Sequence, residues 1–178
     1  SMAAGSGRMA VVLPQGALFR GGVEGQIGKY LLEHDLIESV IGLAPNLFYG
    51  TGLAACILVL RKHKAAERTG KVQIVDASSL FRKGRAQNFL EPEHAIEILG
   101  WVQSFAEVPD RTKVVTLKQI EAEDWTLNIS RYVLPPIGED IPSLDVAIAD
   151  FKEALAQARA AEDRLREIIQ RDGWLEEG

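Results

Sequence analysis

The chain has 178 residues, 47% of them hydrophobic and 25% charged, with a formal net charge of −5. That length supports one domain that buries roughly 70% of its unfolded surface, and the composition is that of an ordinary globular protein. No apolar run approaches the ~20 residues needed to cross a bilayer, the start SMAAGSGRMAVVLP lacks a secretory pattern, and the single cysteine, Cys56, excludes an internal disulfide, all of which point to the cytoplasm.

Ser1-Met2 reads as a remnant of expression ahead of the domain. Met9 to Leu13 reads as a strand ended by Pro14, and Gln15 to Gly22 as a loop. Val23 to His34 has a helical pattern, with Val23, Ile27, Tyr30 and Leu31 on one face; Gly25 and Gly28 weaken it. Ile37 to Leu43 and Ala55 to Arg61 are runs rich in Val, Ile and Leu, and read as buried strands. Cys56 in the second run behaves as a small buried hydrophobe. Between them lies the compact loop Pro45-Asn46-Leu47-Phe48-Tyr49-Gly50-Thr51-Gly52. Its two adjacent aromatics sit at strand ends, where α/β folds usually build their sites. Asn46 and Thr51 are expected to hold the loop through local hydrogen bonds, and Gly50 and Gly52 to supply positive φ.

Lys71 to Asp76 is a further strand, and Asp76 with Ala77-Ser78-Ser79 makes a turn. Pro92 to Phe105 reads as a helix with Pro92 in its first turn and Ala95, Ile98, Leu99 and Val102 on its buried face. Lys113 to Leu117 is a β-branched strand, Lys118 to Ala122 a short helix, and Leu127 to Val133 an extended segment. Pro135-Pro136-Ile137-Gly138 closes the globular part, dividing the chain into 1–136 and 137–178. In the second part Ser143 is an N-cap. Leu144, Ile148, Phe151, Leu155, Ala158, Leu165 and Ile169 recur at spacings of four and three, with Glu162 the one polar seam position. A helix of about 28 residues would be about 42 Å long, and so one-sided a helix needs its stripe covered: by the domain, by its own copy, or by another subunit.

Charge is unevenly spread. Residues 139–178 carry 11 acids and 5 bases, whereas Arg61 to Arg85 holds 8 bases against Glu67 and Asp76. A basic stretch on an acidic chain suits phosphate contact, with Arg61, Lys62, Arg82, Lys83 and Arg85 as candidates; a solvated inter-strand loop is the other reading. There is no GxxxxGK[ST], HExxH or CxxC. His34, His63 and His94 lack metal-ligand spacing and read as surface residues, so no metal site is expected. No nucleophile–base constellation stands out.

Several motifs occur in a telling order: Met9-Ala10-Val11-Val12-Leu13-Pro14 with Gly16 and Leu18-Phe19-Arg20-Gly21-Gly22; Asn46-Leu47-Phe48-Tyr49-Gly50-Thr51-Gly52; Ile57-Leu58-Val59-Leu60; Val75-Asp76-Ala77-Ser78; and Leu127-Asn128-Ile129-Ser130-Arg131-Tyr132-Val133. Together they resemble the later part of the catalytic domain of the modification (M) subunit of type I restriction–modification systems, which are adenine-N6 DNA methyltransferases. The resemblance spans roughly residues 8 to 134.

It implies an α/β fold: a partial S-adenosylmethionine-dependent methyltransferase (Rossmann-like) sheet with a long C-terminal helix. Met9–Leu13 would be the fifth strand, and Ile37–Leu43 with Ala55–Arg61 the antiparallel sixth and seventh pair. The family's glycine-rich cofactor loop and its Asn-Pro-Pro-aromatic tetrapeptide are not found. Gly5-Ser6-Gly7 and Gly50-Thr51-Gly52 lead into strands, and Pro45-Asn46-Leu47-Phe48 has the wrong order. The expectation is therefore a piece of a longer subunit that carries no catalytic residue, binds no S-adenosylmethionine alone and is inactive alone. Its parent uses that cofactor on DNA.

Phe48 first and Tyr49 second would stack a flipped base, with Asn46 in the same target-base pocket; for Phe48 the other reading is a core anchor under the loop. Arg131, in a family signature with Asn128 and Ser130, would contact phosphate or clamp the segment to the core. The implied partners are DNA and the specificity and restriction subunits. In the family, C-terminal M helices pack on the coiled coil of the specificity subunit. Alone, the chain is expected to be marginally stable or to form a homodimer through its exposed edge. The rival reading is a non-catalytic assembly module built on the heptad helix.

Overall fold

The strand-forming runs pair into one five-stranded mixed sheet in a computed structural model that describes residues 2–3, 5–134 and 144–171. In chain order the elements are β1 (Arg8–Pro14), α1 (Gly22–Glu33), β2 (Ile37–Leu43), β3 (Ala55–Arg61), β4 (Lys71–Ala77), β5 (Arg82–Lys83), β6 (Asn88–Phe89), α2 (Pro92–Ser104), β7 (Thr112–Thr116), α3 (Leu117–Ala122) and α4 (Leu144–Arg171). The sheet order is β1-β3-β2-β4-β7, and β5 and β6 form a separate two-stranded hairpin. β3 lies antiparallel between β1 and β2, β2 and β4 are parallel, and β7 closes the far edge antiparallel to β4.

β1, β2 and β4 therefore point the same way, and the segments leaving their carboxyl ends share one rim of the sheet. β2 sits in the middle, with all seven residues buried. A central strand covered on both faces has no reason to alternate, which is why IESVIGL reads as a continuous apolar run. On the α1 side the core holds Leu32, Val40, Cys56, Leu58, Ile74 and Ile120. On the α2 side it holds Ile41, Leu43, Val75, Ala77, Ile98 and Val102. Cys56 is fully buried, and that burial pushes its thiol up to about 11.

Capping follows local chemistry. The Glu91 N–H donates to His94 Nδ1 at 3.1 Å and Pro92 opens α2, so His94 is a half-buried capping residue and not simply a surface one. The far end of α2 is satisfied from outside the helix: Gln73 Nε2 donates to the Trp101 carbonyl at 3.0 Å, and an Arg68 guanidinium nitrogen donates to the Gln103 carbonyl at 2.7 Å. Asp76 makes its expected turn by accepting the Ser78 N–H at 2.9 Å.

Four local expectations are corrected. Residues 127–133 do not extend but wind into a 3-10 turn at Ile129–Arg131. Thr126 Oγ1 accepts the Asn128 N–H, and Ser130 Oγ donates to Asn128 Oδ1, local bonds that compete with strand pairing. Ile129 then packs so tightly on Gly42 that a Cβ there would lie 2.4 Å from its Cδ1. On α1, Val23, Ile27 and Tyr30 are exposed and Leu32 alone is fully buried, because the helix turns a different stripe to the sheet. On α2, Ile98 and Val102 are buried, but Ala95 and Leu99 border an open trough. The Gln15–Gly22 loop contains a 3-10 turn, Gln15–Leu18, that buries Leu18.

The chain divides into two units, Ser1–Pro136 and Ile137–Gly178. The second contains α4, whose apolar residues Leu144, Phe151 and Leu165 are more than half exposed. The Pro135–Gly138 stop and the Ser143 N-cap lie outside the described residues. Among the described residues no helix is long and apolar enough to cross a membrane.

Candidate functional site

The loop between β2 and β3 lies on the rim where the parallel strands end. Asn46 has a left-handed φ of 58°, a conformation Asn tolerates better than most residues. Its Nδ2 donates to the Ala86 carbonyl at 3.2 Å. In return the Asn88 N–H donates to the Asn46 carbonyl at 2.8 Å, and Asn88 Nδ2 donates to the Pro45 carbonyl at 2.9 Å. Thr51 Oγ1 accepts the Leu53 N–H at 3.1 Å. Gly50 has the positive φ its position requires, 77°, but Gly52 does not.

This frame leaves the two aromatics in different settings. Phe48 is 43% exposed and lines an apolar pocket of about 200 Å³ with Val12, Leu13, Pro14, Leu53 and Ala55. It is thus a pocket wall beside the end of β1, not a core anchor. Tyr49 is 97% exposed and points into solvent beyond the pocket. No carboxylate or histidine lines the pocket, so it can receive and orient a flat apolar ring but has no group to move a proton.

The six basic candidates do not form one patch. β3 runs away from the aromatic loop, so Arg61 and Lys62 lie at the opposite rim from Phe48; seven strand residues at ~3.3 Å each separate the two ends by roughly 20 Å. Arg61 donates to Glu38 Oε1 at 3.1 Å, Arg82 is paired with Glu91, and Arg131 is paired with Glu123 at 3.0 Å. Arg82 also lies 4.5 Å over the Phe89 ring. Lys83 and Arg85, on the β5–β6 hairpin beside the aromatic loop, are exposed and have no ion pair among the described residues. They sit on the hairpin that is hydrogen-bonded to the aromatic loop at Pro45 and Asn46. Asn128 and Ser130 bond to each other, and Arg131 holds its own segment through Glu123.

Three contributors escape sequence reading. Glu38 is fully buried and accepts from both Arg61 and Arg68; a lone acid inside an apolar strand was the available signal. Lys64 is buried on Asp35 and the Lys71 carbonyl. Its burial lowers its pKa, against the raising effect of Asp35. Asn88 gave no signal at all, because its partners lie more than 40 residues away. Among the described residues no His, Cys, Asp and Glu cluster could hold a metal ion.

Beside the site, β1 forms a free edge of the sheet among the described residues. An apolar trough of about 420 Å³, lined by Met9, Ile57, Val59, Leu90 and Leu99 among others, runs along it under α2.

The sequence profile of the N-6 DNA methylase family matches residues 1–140. The chain is 36% identical over 149 residues to the type I restriction enzyme MjaVII methylase subunit of Methanocaldococcus jannaschii, covering 82% of this chain and 26% of that one. It is 35% identical over 173 residues to the MjaVIII methylase subunit of the same organism, covering 96% and 29%. The crystal structure of the methyltransferase subunit of a type I restriction-modification system from Streptococcus thermophilus is similar to it with a TM-score of 0.67 and 38% identity, covering 71% of this chain and 26% of that one. The chain spans between a quarter and a third of the length of these relatives.

Proposed function

The chain belongs to the N-6 DNA methylase family, and on that premise we propose that it works as the later part of a type I restriction–modification catalytic subunit that methylates adenine N6 in DNA. The observation that carries this reading is the half-exposed Phe48 forming one wall of an apolar pocket on the carboxyl rim of the sheet. Adenine N6 is out of reach inside a duplex, so the base must be extruded and held. Stacking on an aromatic face is worth roughly 1–3 kcal/mol per base. Phe48 stacks the base, with Tyr49 the second candidate for that contact, and Asn46 keeps the loop in place. Lys83 and Arg85 contact the phosphates that flank it.

S-adenosylmethionine would supply the methyl group when bound. Among the described residues, Gly16 and Gly52 do not suit a cradle for it. A Cβ on Gly16 would meet the Arg20 guanidinium at 3.1 Å, Glu24 puts negative charge in the first turn of α1, and Gly52 leads towards a strand. In our reading the transfer step falls to the part of the longer subunit that this chain does not span. The free main-chain edge of β1 and the apolar trough along it suit the strands and helix that would carry that step.

The open stripe of α4 favours a second role for the same chain. Helices of the specificity subunit would cover it, and the restriction subunit would join that complex on DNA in the cytoplasm. A purely structural assembly module would need this stripe but not the pocket, and one experiment separates the two. Phe48→Ala in the full-length subunit complex should lower methylation about tenfold, the rate equivalent of about 1.4 kcal/mol, and reduce the fluorescence of 2-aminopurine placed at the target adenine. Unchanged methylation and base extrusion would leave only the assembly role.

A further inference from the structure

We propose that Asn88 is a positioning residue for the aromatic loop, locking the β5–β6 hairpin to it so that DNA-backbone contact and base capture are made by one rigid unit. This rests on the reading of Phe48 as the base-stacking residue and adds to it how the loop is held. The hairpin has only two paired residues in each strand, too few to hold a conformation in water by themselves. Its shape comes from side chains. A Cβ at Gly84 would meet the Gln87 carbonyl oxygen at 2.3 Å and the Phe89 ring at 2.5 Å, while Arg82 covers Phe89 and pairs with Glu91.

The hairpin meets the aromatic loop through three hydrogen bonds. Asn88 gives two, from its backbone N–H to the Asn46 carbonyl and from Nδ2 to the Pro45 carbonyl. Asn46 returns the third, from Nδ2 to the Ala86 carbonyl. These bonds reach the loop two and three residues before Phe48, and they leave the hairpin directly beside Arg85 and within five residues of Lys83. A phosphate that fixes Lys83 or Arg85 therefore also fixes the backbone from which Phe48 projects. A misplacement of order 1 Å at a reacting group can cost about a hundredfold in rate, so a two-residue brace is enough to matter.

The test uses the full-length subunit complex. Asn88→Asp keeps the side-chain size and the backbone bond but turns the donor facing the Pro45 carbonyl into an acceptor. Asn46→Gly keeps the left-handed backbone and removes the bond to Ala86. Each should cut the methylation rate constant about tenfold and lower the 2-aminopurine signal, while DNA affinity changes by less than about threefold. Asn88→Gln, which keeps an amide donor, should recover part of the rate. A hairpin held only for stability would instead lower the melting temperature and leave the kcat-to-affinity split and base extrusion intact, which overturns the proposal. If Phe48→Ala abolishes base extrusion but Asn88→Asp and Asn46→Gly do not, the brace is wrong and the pocket stands. If Phe48→Ala changes nothing, both fall.

Discussion

The Arg61 guanidinium lies 3.1 Å from Oε1 of Glu38, a carboxylate with no exposed surface, and Arg68 reaches the same oxygen at 3.3 Å. The second oxygen, Oε2, is buried with no hydrogen-bond partner among the described residues. A buried carboxylate in this position depends on its cations. Removing one partner of a buried pair costs about 3–5 kcal/mol, and the retained Arg68 brings the expected loss for Arg61→Ala down to about 2 kcal/mol. Urea denaturation of the chain measures it. Glu38→Gln, which removes the charge, should cost less than Arg61→Ala.

Because Arg61 and Arg131 are committed to Glu38 and Glu123, neither is expected to act on DNA. Lys83→Ala and Arg85→Ala in the full-length complex should each reduce the slope of log affinity against log salt by about one. Arg131→Ala should leave the slope unchanged. Filter binding between 50 and 200 mM salt reads both, and an equal loss for all three variants would show that the hairpin is not a preferred phosphate contact.

Burial of Cys56 makes stability fall at alkaline pH. The unfolded thiol ionises near 9.0 and the folded one near 11, so between these values the unfolded chain binds fewer protons than the native one. Stability is fully present below about pH 9 and is lost as pH rises towards about 11, by at most about 2–3 kcal/mol at 1.36 kcal/mol per pKa unit. Cys56→Ala removes that component. The difference between the two chains in unfolding free energy, measured at pH 8 and pH 10.5, isolates it from other titrating groups.

Leu99 is 53% exposed on the trough under α2. In the chain alone Leu99→Glu should change stability by no more than about 0.5 kcal/mol, as for other surface positions. In the full-length subunit, where a covering segment would bury it, the same change should cost about 2 kcal/mol or more. Melting curves of both proteins give the comparison, and equal small effects would mean that nothing covers the trough.

Phe151 is 66% exposed on α4. Phe151→Glu should leave the melting of residues 1–136 unchanged and abolish co-purification with the specificity subunit. Retained co-purification would remove α4 from that interface.

The sheet was legible because its runs announce themselves. Ile37–Leu43 and Ala55–Arg61 are apolar, β-branched and bounded by turn residues, and they pair antiparallel as expected. The segment 127–133 carries a similar apolar pattern, but Thr126, Asn128 and Ser130 satisfy the backbone locally, and its place on the sheet is set by the close approach to Gly42. The stretch from Arg61 to Arg85 showed its charge count plainly in sequence, yet the count could not say which cations are spent on carboxylates. Glu38 and Glu91 decide that from 23 and 9 residues away.

By itself, the order of residues determined the five strands of the main sheet (but not the β5–β6 hairpin), the helices at Pro92 and Leu144, the buried thiol, and the family through motifs that need no contacts to be recognised. Only the tertiary structure decided that Phe48 lines a pocket while Tyr49 faces water, that Arg61 is taken up by buried Glu38 while Lys83 and Arg85 have no ion pair among the described residues, and that Asn88 is hydrogen-bonded to the loop. Period and turn chemistry act over a few residues and are written locally. Pocket walls, ion pairs and loop braces are made between segments some 10 to 45 residues apart, and which of them meet depends on the strand order β1-β3-β2-β4-β7 that brings their ends to one rim.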